Sequence, residues 1–410
     1  MQEQTSIIIG GGAAGFFAAI ACAEANPLSK VIILEKTSTV LGKVKVSGGG
    51  RCNVTNGCFN PEDLVEFYPR GSRELLGPFH RFATGDTMEW FSDRGVELKI
   101  ESDNRVFPET DDSQTIIDCL VDFAERAGVD IRTNSGVESI EKDNDQWIVK
   151  LESKNELRAH KVLVATGGSK KMWDSLKKIG HRIIEPVPSL FTFNIKDPRI
   201  NGLAGVSAPN VLLTLPAFDL SAEGPLLVTH WGLSGPAVLR LSAWGARELH
   251  DTSYRFILHV NFVPQFDEET LIEILNDFRK DPDHQRKRIQ SNTLFNLPLR
   301  LWKNICESAK IPERATWSDI SKPLLKKLVS HLNHGEFVVS GKSTFKEEFV
   351  TAGGVDLSQV DFRTFSSKLH DNLFFAGEVL DIDAITGGFN FQAAWTGGWI
   401  AGHALAGETV

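Results

Sequence analysis

The residues best able to do chemistry open the chain. Gly10, Gly12 and Gly15 stand at G-x-G-x-x-G spacing behind an apolar run, Thr5 to Ile9. An Ala-rich segment follows and stops at Asn26-Pro27, and a second apolar run, Val31 to Leu34, ends in Glu35. Each part has a physical role at a dinucleotide. Gly10 permits the tight turn, Gly12 lets a pyrophosphate approach the backbone, and Gly15 lets helix and strand pack closely. Free N–H groups and the positive end of the helix dipole face the pyrophosphate. Glu35, twenty residues beyond Gly15, is placed to accept hydrogen bonds from ribose hydroxyls.

Further candidates extend this site. Gly48, Gly49 and Gly50, flanked by Lys43, Lys45 and Arg51, predict a loop lying against a flat or anionic ligand. Lys43 and Arg51 are candidates to neutralise phosphate, and Arg51 also to bear on a substrate carboxylate or carbonyl. Cys52 and Cys58 resemble a redox pair, but at C-x5-C they are one residue further apart than disulfide reductases place them. Disulfide geometry is demanding, so Cys52 is read as packing and Cys58 as incidental. Lys161 to Val164 leads into Thr166-Gly167-Gly168, small residues at a strand end where a ligand can approach. Near the C-terminus, Asn372 to Glu378 reads as a buried strand ending in Gly377-Glu378. Gly387 and Gly388 precede a helix placed at Ala393 to Leu405. Backbone N–H groups at such a helix start stabilise the negative charge that a reduced flavin develops at its pyrimidine edge. In Thr229-His230-Trp231-Gly232, His230 is a candidate proton donor, set against an equal case for a packing histidine.

The elements that must position these residues alternate strand and helix. Thr84 to Arg94 and Ser113 to Ala127 read as helices, the second opened by Ser113. Gly136 to Lys142, Gln146 to Leu151 and Leu157 to His160 read as a three-stranded meander, with Val137 where the backbone could pass an adenine. Residues 191–264 are β-rich, a small barrel or sandwich, with one helix, Ala237 to His250, capped by Ser234. Residues 265–334 read as helical, with Asp267 capping one helix, Arg286-Lys287-Arg288 opening another and Ser321 to Leu332 forming a third. The basic triplet is read as a solvated helix face. Strands return at Phe337 to Gly341 and Phe345 to Val350.

Composition limits the function classes. With 410 residues the chain can form two or three domains, and 41% hydrophobic with 24% charged residues is a globular balance. The net charge of −9 recruits neither nucleic acid nor an anionic membrane. No apolar run reaches the length of a transmembrane helix, no secretory signal is visible, and five cysteines fit a reducing compartment. These readings lead to the expectation of a cytoplasmic protein.

Taken together, GGGAAG, SGGGRCNVTN, VLVATGG, THWGLSGPAVL, VTAGGV and FAGEVLDIDAITGGFNFQAAWTGG resemble the BaiN-like (3-dehydro-bile acid reductase-like) family of FAD flavoproteins, from Thr5 to about Leu405. The resemblance implies an α/β fold: a Rossmann-like, glutathione-reductase-type FAD domain built from residues 1–190 and 351–410. It further implies an inserted β-barrel domain, 191–264 with 335–350, and a helical subdomain, 265–334. Carried to matching positions, the FAD contacts would be Gly10, Gly12, Ala14, Gly15, Glu35, Lys36, Lys43, Gly48, Gly49, Gly50, Arg51, Cys52 and Asn53. Val137, Thr166, Gly167, Gly377, Glu378, Asp381, Gly388, Asn390 and Phe391 would complete them.

The function expected is hydride transfer through flavin N5, in the reductive direction to an activated C=C or carbonyl of a small organic substrate lying between the FAD domain and the barrel. A single G-x-G-x-x-G leaves no second dinucleotide domain, so NAD(P)H would be a transient electron donor. Two other readings stand beside this one: a non-enzymatic FAD redox sensor or structural flavoprotein, and a protein binding NAD alone. No metal site is expected, and Arg51 and His230 are the only catalytic candidates.

Overall fold

In the computed structural model, residues 4–343, 350–408 and 410 are described. The chain divides into two compact units, Met1–Val187 with Val350–Val410, and Pro188–Phe349. The expected strand at Phe345 to Val350 falls almost wholly outside the described residues.

The first unit is built on a seven-stranded sheet. In spatial order its strands are Val360–Asp361, Ser366–Ser367, Leu373–Phe375, Lys161–Val164, Thr5–Ile9, Lys30–Leu34 and Asp130–Arg132. The five longer strands run parallel, and Thr5–Ile9 lies at the centre, between Lys161–Val164 and Lys30–Leu34. Ile7 and Ile8 are fully buried, as a strand covered on both faces requires. The meander forms its own sheet from Val137–Asp143, Gln146–Leu151 and Glu156–Ala159.

Two helices lie against each other beside this sheet. The first, Ala13–Ala25, follows the glycine turn; the second, Phe389–Ala406, nearly ends the chain. Both are apolar almost all round, because each is buried on several sides. They approach closely enough that a Cβ at Gly398 would sit 2.6 Å from the Ala14 carbonyl oxygen. One at Gly402 would sit 2.6 Å from that of Ala18. Only glycine fits at either position.

The second unit holds a closed six-stranded barrel in the order Thr192–Ile195, Gly232–Ser234, Leu220–Val228, Ser207–Leu215, Phe256–Asn261 and Gly335–Ser343. Closure removes the exposed edges that an open sandwich would leave. Barrel residues such as Val211, Leu213 and Phe337 share one hydrophobic core with Leu271, Trp302 and Leu328 of the helices.

Several local expectations are corrected. Gly42–Val46 forms one helical turn, and only the glycines behind it, with φ of 58°, 70° and 87°, break away. Asp112, not Ser113, caps the helix Ser113–Arg126, its side chain accepting from the Gln114 N–H at 2.9 Å. Gly235, not Ser234, precedes the barrel helix, which breaks at Gly245 into Pro236–Trp244 and Ala246–Asp251. Ser234 is instead spent in a strand paired with Leu227. Arg286-Lys287-Arg288 opens no helix; the next one is Leu299–Ser308. The triplet pairs its backbone with a later segment, which satisfies the same N–H and C=O groups without a helix. The helix Lys170–Lys178 is not legible in the sequence; its apolar residues, Met172, Trp173 and Leu176, are too few to show a period.

Two outcomes follow. Gly402→Val is expected to lower the melting temperature, since overpacking costs about 1–3 kcal/mol; an unchanged melt would show that the two helices can move apart. His181 is buried beside His370, and burial lowers its pKa to about 4 from 6.5. The unfolded chain therefore takes up a proton that the folded one refuses. Stability should be full above pH 6.5 and fall as pH drops toward 4. His181→Asn should flatten urea-denaturation midpoints over that window, and equal slopes would refute the assignment.

Candidate functional site

Three strand ends of the first unit converge on one place. Gly10, at φ 113°, donates its N–H to the Leu34 carbonyl at 2.9 Å, and a Cβ there would collide with Ala165 and come within 3.1 Å of the Thr166 Cα. A Cβ at Gly15 would overlap the Gly10 carbonyl oxygen. At Gly12 a Cβ would meet nothing within 4 Å. Gly10 and Gly15 are thus required by the protein's own packing, whereas Gly12 faces open space at the helix start. That helix has no side-chain cap and no acidic residue in its first turn. Its first N–H groups have no intrahelical acceptor and no side chain of the first turn to satisfy them.

Glu35 closes one side. Its carboxylate accepts from the Gly11 N–H at 2.9 Å and, through the other oxygen, from the N–H and hydroxyl of Thr37 at 2.9 and 2.8 Å. The Glu35 carbonyl accepts from the Ser135 N–H at 2.7 Å, which brings Val137, two residues on, to the same strand end. Lys36 is exposed. On the other side Lys43 forms an ion pair with Glu378, whose second oxygen accepts from the Thr351 N–H at 2.9 Å. A Cβ at Gly377 would lie 3.0 Å from that of Ala14, and one at Gly167 would lie 3.6 Å from Glu378. Ala14, Lys43, Thr166, Gly167, Gly377 and Glu378, drawn from four separate stretches, are therefore neighbours. The Asp381 N–H donates to the Val355 carbonyl at 3.1 Å, tying the exit from that strand to Thr351–Val355.

The C-terminal loop is fastened at many points to the segment after the glycine-rich loop. Arg70 pairs through two nitrogens with Asp383, a carboxylate with no exposed surface, and their backbones also bridge. The Tyr68 hydroxyl donates to the Phe389 carbonyl at 2.6 Å, the Ile385 N–H to the Phe67 carbonyl at 3.1 Å, and Asn56 Nδ2 to the Gly387 carbonyl at 3.0 Å. Asn53 is oriented by its surroundings, its amide nitrogen facing the Thr55 and Val106 carbonyls and its oxygen accepting from the Gly388 N–H at 2.9 Å. Below the loop, Gln392 Oε1 accepts from Thr55 and Thr87 at 2.6 and 3.0 Å, and its Nε2 donates to Thr396 at 3.1 Å. All four are buried. The helix Phe389–Ala406 starts one turn earlier than expected, with Gly388 as its cap, no side-chain cap and no acid in its first turn. Its N–H groups at Phe389, Asn390 and Phe391 are the unfilled donors that helix geometry dictates.

Several singled-out residues have other occupations. Arg51 contacts Glu101 at 2.7 Å and Asp111 at 3.3 Å and stacks 3.8 Å above the Phe107 ring, so its guanidinium holds the loop down rather than facing a substrate. Cys52 is fully buried and burial pushes its thiol up to about 12; Cys52 and Cys58 are both free thiols. The side chain of Asn390 both donates to and accepts from the Ala384 backbone at 3.0 Å, leaving only its backbone for a ligand. Phe391 stacks on Trp395 at 5.5 Å. A Cβ at Gly48 would lie 2.9 Å from the Asn53 nitrogen and 3.0 Å from the Phe107 ring, whereas at Gly49 and Gly50 it would meet nothing within 4 Å. His230 is exposed in the other unit, in a turn whose Thr229 hydroxyl accepts from Trp231 and Gly232. Sequence reasoning does not find Arg70, Asp383, Tyr68 or Gln392, because partners some 300 residues apart leave no spacing signal.

These features fit FAD: one open, uncapped helix start for a pyrophosphate and a second for the flavin's electron-rich edge. The fold and site define a Rossmann-type, FAD-dependent oxidoreductase. The chain belongs to the family described as HI0933-like protein Rossmann domain, matched over residues 4–404. It is 30% identical to a ribosomal RNA dihydrouridine synthase of Escherichia coli K12, across 99% of this chain and 98% of that one. It is 27% identical to a 3-dehydro-bile acid delta(4,6)-reductase of Clostridium scindens, across 97% and 98%, which bears out the expected family resemblance. Among solved structures it shares its fold with a 3-ketosteroid-delta4-(5alpha)-dehydrogenase of Rhodococcus jostii, at TM-score 0.52 and 14% identity over 99% and 98% of the two chains. Among the described residues no helix is long and apolar enough to cross a membrane, and no group of side chains is arranged for a metal.

Replacing Glu35 with Ala should release FAD on gel filtration, whereas Glu35→Gln, which keeps an acceptor for Gly11, should retain more. Equal retention by wild type and both variants would refute the ribose role.

Proposed function

We propose that the protein reduces a carbon–carbon double bond conjugated to a carbonyl, drawing electrons from NAD(P)H. The observation that carries the reading is the clamped C-terminal loop. Arg70, Tyr68, Asn56 and Asn53 fix the uncapped start of the helix Phe389–Ala406, a rigid set of donors for the charge a reduced flavin carries. FAD, when bound, supplies the hydride chemistry. Gly12, Ala14 and Gly15 would hold its pyrophosphate, Glu35 its ribose, and Lys43, Thr166, Gly167 and Glu378 the middle of the molecule. The loop from Gly48 to Asn53, with Gly388, Asn390 and Phe391 acting through their backbone, would border the ring. The Lys43–Glu378 pair keeps the site's cation and carboxylate neutral toward each other until a ligand competes for them.

Both curated relatives named above carry a double-bond reduction in their names. Dihydrouridine arises by adding hydrogen across the uracil C5=C6 bond, which is conjugated to the C4 carbonyl. A 3-oxo-4,6-diene steroid presents the same type of bond. Uridine in ribosomal RNA is the first reading, because the relative carrying that name has the higher identity and matches nearly end to end. A small enone is the second, favoured by the net charge of −9, and it keeps the expectation of a small substrate without nucleic acid.

Purified protein should show flavin absorbance that bleaches when NADH or NADPH is added without oxygen. No bleaching with either would remove the pyridine nucleotide from the scheme. Chemically reduced enzyme should then be reoxidised by protein-free ribosomal RNA, with a uridine gaining two hydrogens by mass spectrometry. Reoxidation only by a 3-oxo-4,6-diene steroid would establish the second reading, and reoxidation by neither would end both.

A further inference from the structure

The basic triplet that opens no helix has a setting of its own. Arg286, Lys287 and Arg288 are all exposed. Their stretch is held against residues 314–318. The Ile289 N–H donates to the Ala315 carbonyl at 3.0 Å, the Trp317 N–H to the Lys287 carbonyl at 3.3 Å, and Arg288 bridges to Thr316. This pairing brings Arg314, also exposed, beside the triplet. Ile289 and Trp317, both buried, anchor the pair to the core, and Trp302 donates its indole N–H to the Ile289 carbonyl at 2.7 Å. The cations therefore stand on a fixed ledge.

None of the four meets a carboxylate among the described residues, whereas Arg94, Arg105, Arg132 and Arg199 elsewhere each do. Nearby acids are bonded to other partners: Asp281 to His284, Asp319 to Thr316, and Glu313 to Lys303 at 3.9 Å, although Asp281 also attracts Lys287 electrostatically. Asp283 alone remains exposed beside the triplet without such a partner. In a chain of net charge −9, residues 265–334 carry twelve Lys and Arg against ten Asp and Glu. Exposed cations carried on two paired stretches make a locally basic surface that a polyanion can neutralise. Guanidinium groups spaced along a backbone ledge match successive phosphates.

We infer that the ledge of Arg286, Lys287, Arg288 and Arg314 binds the phosphate backbone of RNA. The inference rests on the ribosomal RNA reading and assigns the surface that would hold such a substrate by its backbone, leaving base chemistry to the flavin site. Interactions of this kind position RNA without reading its sequence.

The test uses the full-length FAD-loaded protein and protein-free ribosomal RNA as probe, with filter binding across a salt series. Replacing Arg286, Lys287 and Arg288 together with Gln should weaken binding roughly tenfold or more at moderate salt. The same change should make the salt slope shallower by about one for each phosphate no longer neutralised. Flavin absorbance and its bleaching by NAD(P)H should stay as in wild type. Arg314→Gln should weaken binding less, in the same direction. If wild type reduces the RNA and the triple variant binds with unchanged affinity and slope, the ledge assignment is overturned and the reductase reading stands. If wild type neither binds nor reduces the RNA, both the ledge and the RNA reading fall, and the enone reading is left to the steroid assay. Should the triple variant release its flavin, the Arg314→Gln result alone decides, an unchanged slope counting against the ledge.

Discussion

The close contact between the helices Ala13–Ala25 and Phe389–Ala406 is the constraint on which the first unit depends. It joins the start of the chain to its end at a separation that only Gly398 and Gly402 permit. Dispersion and burial act over the whole length of both helices, since each is buried on several sides. The same contact sets Gly377 against Ala14, so the helix packing also fixes the spacing of two candidate cofactor positions. An insertion of more than 160 residues separates the strands that these helices follow. The site can form only if the ends are brought back together.

Polar groups add direction to that contact. Buried Asp383 is tolerable because Arg70 meets both of its oxygens; an ion pair of this kind adds little net stability but penalises any other arrangement. Gln392, Thr55, Thr87 and Thr396 satisfy one another in the same region. Their worth lies in register. Apolar packing would allow the C-terminal helix to slide or rotate slightly, and a connected polar network does not. The outcome is a helix start aimed at one place, which electrostatic stabilisation of a developing charge requires.

Within this rigid site, several attractive residues lose their chemical promise. Arg51 is held by two carboxylates and an aromatic face, Cys52 is sealed in, and the side chain of Asn390 is consumed by its own loop. The protein contributes a cradle more than a set of reacting side chains, in keeping with a cofactor that carries the hard chemistry itself. The exposed cations best placed for a polyanion lie far along the sequence, on the paired stretches around Arg288 and Arg314.

What the sequence determined by itself was everything governed by short spacing. The strand, glycine turn, helix and Glu35 sit within one local unit, and Gly10, at φ 113°, has a conformational reason that holds before any tertiary contact is known. Short β-prone runs likewise marked the meander and most barrel strands. Tertiary structure decided the rest. The triplet Arg286 to Arg288 has the composition of a helix face, yet a partner segment nearly thirty residues away satisfied its backbone first. Ser234 has the chemistry of a cap, yet a strand claimed it. Arg70 and Asp383 are unremarkable in their own neighbourhoods and became a buried pair only through folding. Local sequence limits what a backbone can adopt, while burial and long-range hydrogen bonding select which of those options is used.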